Sequence, residues 1–283
     1  MAYIASLDQG TSSTRCLIFD KNGEIVGRAQ LEHEQIFPQA GWVEHDANEI
    51  WENTQKVIVS ALEIAGINGS DIAAVGITNQ RETVVAWDSQ TGEPVANAIV
   101  WQDTRTSDFF DSLTDRQKND LLYKTGLAIA PYFSASKMNW LLTNVPEVAL
   151  TSERGSLLLG TIDSWLTWKL TGGLHITDVT NASRTMLMDL DTLNWSSDLV
   201  EIFAIPPETL PEIKSSSEIF GQTLLNGPFG AVIPISGILG DQHAAMVGQA
   251  CFEKGDSKTT YGTGNFALLN TGTEIVRSKH GLL

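Results

Sequence analysis

The chain has 283 residues, 42% of them hydrophobic, and a formal net charge of −16. That hydrophobic share supports a real core and excludes a disordered chain. The acidic balance argues against a nucleic-acid or anionic-membrane partner, which needs a basic face, but leaves room for a small anion held by a few local cations or a metal.

Residues 3–7 and 14–19 read as strands joined through Gly10, and the turn Asp20-Lys21-Asn22-Gly23 leads to a third strand over 24–30. No signal peptide is expected at the N-terminus, which lacks a basic region and meets an acid at Asp8. A helix follows: Asp46 and Glu49 have capping-box spacing, apolar residues recur from Ile50 to Ala65 at helical period, and Gly66 stops the pattern. Residues 73–77 form a nearly continuous apolar run, the signature of a buried strand, and strands are also predicted over 83–87 and 98–101. Helices are predicted over 115–124 (capped by Thr114 with Gln117 three on), 136–144 (stopped before Pro146) and 164–170 (closed by Gly172-Gly173). A strand over 232–236 runs through two glycines into a helix opening near Asp241. Residues 258–272 then repeat the opening plan of strand, Gly/Thr tip and strand. No apolar run approaches membrane-spanning length, so no membrane insertion is expected. Cys16 and Cys251, far apart and in no metal spacing, fit a reducing, cytoplasmic compartment.

Several constellations could carry chemistry. At the first hairpin tip, Thr11, Ser12, Ser13 and Arg15 offer hydroxyl and guanidinium donors suited to phosphate oxygens, with Gly10 allowing a tight turn. Asp8 could hold a hydrated Mg²⁺. A solvated hairpin with local turn bonds fits the same residues. Arg81 and Glu82 follow a buried strand, where open α/β sheets meet ligands, and side by side they offer what vicinal hydroxyls require. An ordinary ion pair is the plainer reading. Trp101 and Tyr132 could pack on the carbon face of a small polyol or belong to the core. Asp241, at a helix start after two glycines, could be a general base or merely the cap of that helix. His243 is read as a helix residue rather than a base.

Taken in order, Asp8-Gln9-Gly10-Thr11, Gln80-Arg81-Glu82, Gly240-Asp241-Gln242 and Tyr261-Gly262-Thr263-Gly264 resemble the FGGY carbohydrate kinases. Gly41-Trp42-Val43-Glu44-His45-Asp46, Thr180-Asn181-Ala182-Ser183-Arg184-Thr185-Met186 and the signature from Tyr132 through Lys137 and Trp140 to Asn144 support this along the whole chain. The resemblance implies an α/β, actin-like ATPase (ribonuclease H-like) fold, a mixed sheet with flanking helices. It implies a first lobe over 1–250, and over 251–283 the first hairpin of a second lobe whose remainder is missing. It implies ATP-dependent, Mg²⁺-assisted phosphorylation of glycerol, with a homo-oligomer at full length and this chain alone inactive. By the same resemblance, Asp8 would hold Mg²⁺ through water. Thr11, Ser12, Ser13, Arg15, Thr263 and Gly264 would hold ATP. Arg81, Glu82, Trp101, Tyr132, Asp241 and Gln242 would surround glycerol, and Asp241 would be the base. A kinase of another polyol or ketose, or a non-catalytic nucleotide-binding module, are the rival readings. Some bacterial members are inhibited by fructose 1,6-bisphosphate at a basic loop. The matching Asn226-Gly227-Pro228-Phe229-Gly230-Ala231 carries no cation, so insensitivity is expected.

Overall fold

The computed structural model describes residues 2–261, 265–278 and 281–283. The chain opens on an antiparallel meander of β1 (Tyr3–Gln9), β2 (Ser13–Phe19) and β3 (Ile25–Glu32). Ala5, Leu7, Cys16 and Ile18 alternate onto one covered face, the period of two that a strand imposes. The short β4 (Glu44–His45) leads into α1 (Ala47–Ala65). Its buried stripe, Ile50, Thr54, Val57, Ile58 and Ala61, packs on the back of the meander. Asp46 caps α1 by accepting the Asn48 N–H at 2.8 Å, and Gly66 ends it with a left-handed φ of 66°. The expected capping box does not close. Glu49 instead accepts the Glu34 N–H at 3.0 Å, tying α1 to the chain that leaves the meander.

Then come β5 (Ile72–Asn79), β6 (Val84–Asp88), β7 (Ala98–Ile99), α2 (Asp115–Thr125), α3 (Ser134–Asn144) and α4 (Pro146–Glu153). They are followed by β8 (Leu157–Thr161), α5 (Ile162–Thr171), β9 (Ile176–Asp178), α6 (Val179–Ala182), β10 (Met188–Asp189), β11 (Asn194–Trp195) and α7 (Ser197–Ile202). The rest is β12 (Glu212–Lys214), β13 (Gly221–Gln222), β14 (Pro234–Gly240), α8 (Asp241–Gly248), β15 (Ser257–Tyr261) and β16 (Asn265–Leu269).

The main sheet has the order β13-β14-β5-β1-β2-β3. Its centre is parallel, β1 with β5 and β5 with β14, and its flanks are antiparallel. Asp8, Thr78 and Leu239 are thereby brought into register, and the chain leaves all three parallel strands at one edge. A second sheet, β4-β7-β6-β8, is antiparallel throughout. β6 is buried on both faces. Val85 and Trp87 join the core shared with the main sheet, whereas Val84 and Ala86 join a second core under α3 and α4. That is why this strand reads as an unbroken apolar run rather than an alternation.

Several expected bounds change, three of them with consequences for the site or the packing. The strand expected over 98–101 ends at Ile99, because the Trp101 N–H turns off to Thr83 Oγ1 at 3.2 Å. The strand expected over 232–236 is β14, which keeps pairing with β5 as far as Gly240 and so delivers Asp241 to the sheet edge. Pro146 does not only stop α3; it opens α4, where its missing N–H leaves no bond unmade. Among the described residues no helix is long and apolar enough to cross a membrane. Both cysteines are free, and burial pushes the Cys16 thiol up to about 12.

Candidate active site

The edge where β1, β5 and β14 end is where open α/β sheets bind ligands. Asp8 on β1 lies across from Arg15 on β2 and pairs with it at 3.6 Å. Burial pushes the Asp8 carboxyl above its ordinary value, Arg15 draws it back, and the charge of Asp241 pushes it up again. The two carboxylates therefore feel each other across the cleft. A hydrated divalent cation between them would relieve that repulsion. Among the described residues no group of three or more His, Cys, Asp or Glu could hold a metal ion.

The tip differs from expectation at Gly10. It has no positive φ, its N–H is spent on the Ser13 carbonyl at 2.9 Å, and a Cβ there would meet only an ordinary contact at 3.5 Å. Neither the turn nor a free N–H requires glycine at this position. Ser12 is exposed. Ser13 is buried and its hydroxyl accepts from Gln30 at 3.0 Å, which leaves its own proton to donate. Among the described residues, Arg15 Nε is buried without a partner. Thr263 and Gly264, expected at the facing tip, lie outside the described residues.

One cavity of about 160 Å³ is lined by Arg81, Glu82, Trp101, Tyr132, Asp241 and Gln242, together with Thr11. At roughly 30 Å³ per water molecule it holds a handful of waters or one small polyol. The Trp101 indole donates to Thr11 Oγ1 at 3.0 Å and packs against Tyr132 at 5.4 Å between centroids. These aromatics are thus cavity wall, one side apolar and one edge polar. Lys137, fully buried, donates to the carbonyls of Pro131, Tyr132 and Phe133 at 2.5–3.1 Å and so fixes the segment that carries Tyr132. Burial lowers its ammonium to about 7.

Glu82 is the strained residue of the site. Its φ is 64°, and the Thr83 N–H donates to the Arg81 carbonyl at 2.7 Å, closing a three-residue turn about it. Such a conformation costs about 1–3 kcal/mol and persists only where neighbours over-determine it. Here Ser134 Oγ donates to the Glu82 carbonyl at 3.0 Å, and Arg184 Nε donates to its carboxylate at 2.7 Å. Burial pushes the Glu82 carboxyl up, and Arg184 and then Arg81 oppose that rise. The same burial, with Glu82 beside it, raises the Tyr132 phenol to about 12, so it stays a hydrogen-bond donor.

Asp241 is the first residue of α8, and Gly240 stands at the cap position. Its Oδ1 lies 3.0 Å from Arg81 Nε and its side chain is 41% exposed, so the carboxylate faces the cleft. Gly240 is required: a Cβ there would sit 2.5 Å from Cδ of the buried Arg81. The Gly240 N–H donates to Thr180 Oγ1, which in turn donates to Asp178, and this half-buried chain sets the height of Asp241 above the sheet. Burial and the charges of Arg81, Arg184 and Lys258 lower His243 to about 4, so at neutral pH it adds no positive charge.

Residues 3–248 match the FGGY family of carbohydrate kinases, N-terminal domain. The chain belongs to the FGGY family of carbohydrate kinases. It is 56% identical to a glycerol kinase of Beijerinckia indica subsp. indica over 99% of its own length and 57% of that protein. It is 57% identical to a glycerol kinase of Mycobacterium tuberculosis over 99% and 56%. A crystal structure of Plasmodium falciparum glycerol kinase with ADP matches at a TM-score of 0.93 and 41% identity, over all of this chain and 57% of that one. The chain therefore spans a little over half the length of the relatives it matches. A gluconate kinase from Lactobacillus acidophilus, at 24% identity and a TM-score of 0.82, shares the fold. That fold is the actin-like ATPase fold of FGGY kinases, as expected.

The cavity wall of this FGGY-family chain also includes Gln80, Thr260 and Phe266, to which the sequence alone gave no site role, and behind it Arg184 meets Glu82 and Lys258 meets Gln242. Arg184 sits in one of the stretches that carry the family resemblance, and Lys258 in the repeated hairpin. Both were visible as motif members, but nothing local says which carboxylate or amide they meet.

Proposed function

We propose that this site phosphorylates glycerol at a terminal hydroxyl, with ATP as donor, to give sn-glycerol 3-phosphate. The observation that carries the reading is that one small cavity holds Arg81, Glu82, Trp101, Tyr132, Asp241 and Gln242 together. Its glycerol kinase relatives at 56% and 57% identity support it. The Glu82 carboxylate accepts from hydroxyls while Arg81 and Gln242 donate to them, and Trp101 and Tyr132 cover the carbon face. Asp241 takes the proton of the attacking hydroxyl as its oxygen bonds to the terminal phosphorus. The bridging P–O bond breaks and ADP leaves with the electron pair. Thr11, Ser12, Ser13 and Arg15 hold phosphate oxygens from one hairpin, and Thr263 and Gly264 do so from the other. Asp8 would hold Mg²⁺ through water, and the ion neutralises phosphate charge when bound.

We place residues 1–250 in one lobe and 251–283 at the opening of a second, in a cytoplasmic homo-oligomer unresponsive to fructose 1,6-bisphosphate. The test is a coupled ADP-release assay across glycerol, other polyols and ketoses, on the protein as its gene encodes it. Glycerol should give the highest kcat/KM. A ketose or longer polyol ahead of glycerol would overturn the substrate assignment, and no acceptor-dependent turnover at all would overturn the kinase reading.

A further inference from the structure

β15 turns alternate residues toward the cavity. Lys258 is buried and Thr260 half-buried, while Ser257, Thr259 and Tyr261 face outward. The Lys258 ammonium donates to Gln242 Oε1 and to Thr260 Oγ1, the second at 2.8 Å. Both partners are neutral side chains on the cavity wall. Burial pulls the Lys258 ammonium below its ordinary value and the charge of Asp241 opposes this.

A side-chain amide has two ends of nearly the same shape, one accepting and one donating, and its orientation is set by its neighbours. An ammonium has donors only. Lys258 therefore admits just one orientation of Gln242, with Oε1 toward the lysine and the NH₂ away from it. In that orientation the NH₂ donates to Asp241 Oδ2 at 3.3 Å. The consequence is chemical. A hydroxyl that meets the Gln242 NH₂ is held through its oxygen, and its own proton stays free for Asp241. Were the amide reversed, its oxygen would compete with Asp241 for that proton.

We propose that Lys258 is a positioning residue that locks the Gln242 amide with its NH₂ toward the acceptor and the base. The inference rests on the proposed phosphorylation of glycerol. Its test compares Lys258→Met, Gln242→Ala and the double variant with wild type, in the protein as its gene encodes it, by steady-state kinetics in glycerol and in ATP. Losing a charge-assisted bond should raise the glycerol KM by about tenfold or more and leave the ATP KM within about twofold. In the Gln242→Ala background the lysine change should add no more than about twofold, because its effect passes through the amide. A glycerol KM near wild type in Lys258→Met, or losses that multiply in the double variant, would overturn the proposal. Gln242→Glu serves if Lys258→Met does not fold. It keeps an acceptor for Lys258 but has no NH₂, so its glycerol KM should also rise, and an unchanged value would count against the lock. A wild type without glycerol-dependent turnover would overturn this inference together with the substrate reading, whereas an active wild type isolates the role of Lys258.

Discussion

Arg184→Met removes the closest counter-charge of a carboxylate that is only 2% exposed. If Glu82 stayed ionised, a buried charge without its partner would cost about 3–5 kcal/mol. The protein has a cheaper way out, which is to protonate Glu82. From the ordinary carboxyl value of 4.5 that escape costs about 1.4 kcal/mol per pH unit. The charge contribution to the loss is thus capped at about 3.4 kcal/mol at pH 7 and about 0.7 kcal/mol at pH 5. The sign follows from linkage. With its folded pKa raised further, Glu82 keeps a proton in the folded state that the unfolded state has lost, so stability falls as pH rises above the unfolded value. Loss of the guanidinium's contacts over the Tyr132 and Phe133 rings, at 5.7 and 4.9 Å, adds a pH-independent part of about 0.5–1 kcal/mol each at most. Urea unfolding of wild type and variant at pH 5, 6 and 7 reads the difference directly. A destabilisation that is the same at all three values would refute the reasoning, since the ionisation of Glu82 would then not depend on Arg184.

Asp241→Asn should keep the fold and glycerol binding but lower kcat by about 10²–10⁴-fold, the usual contribution of a positioned base; near-wild-type turnover in a coupled assay would reduce Asp241 to a partner of Arg81. Gly240→Ala, at a position whose extended backbone (φ −60°, ψ 147°) any residue can adopt, should act only by driving its Cβ into Arg81, raising the glycerol KM more than the ATP KM; equal changes would show that Arg81 does not set acceptor binding. Asp163 is fully buried, accepts from Thr161 and Thr177 hydroxyls, and is raised to about 7 by burial and by Asp178. Its contribution to stability is complete below about 4 and is lost as pH rises toward about 7, at up to about 1.4 kcal/mol per unit. Asp163→Asn should flatten the unfolding curve over that window, and an unchanged pH profile would contradict the assignment.

Much of the local structure was legible because its causes are local. The stripe from Ile50 to Leu62, the Asp46 cap and the Gly66 stop are all written within one helix, and α1 forms where they place it. Thr114 and Gln117 close their capping box as spaced. The site residues were legible only as motif members. That Arg81, Glu82, Trp101, Tyr132, Asp241 and Gln242 line one cavity comes from the parallel pairing of β1, β5 and β14 and from the turn of the chain after Ile99. Neither can be read from any one segment. Gly10 shows the converse: a glycine at a turn suggested a conformational need that the folded backbone does not have.

The sequence by itself determined many of the elements, the family and the kinds of side chain available for chemistry, since propensity, period and capping act over a few residues. Tertiary structure alone decided the partners. Arg184 meets Glu82 across 102 residues, and Asn79 pairs its amide with Asn181 across the same interval to hold the end of β5. Lys258 reaches back from β15 to Gln242 on α8. Glu82 can hold a left-handed φ only because Ser134 and Arg184 grip it from elements far along the chain. Charge and hydrogen-bond energies depend on distance and burial, and both are set by how distant segments pack, a quantity that no local stretch of sequence contains.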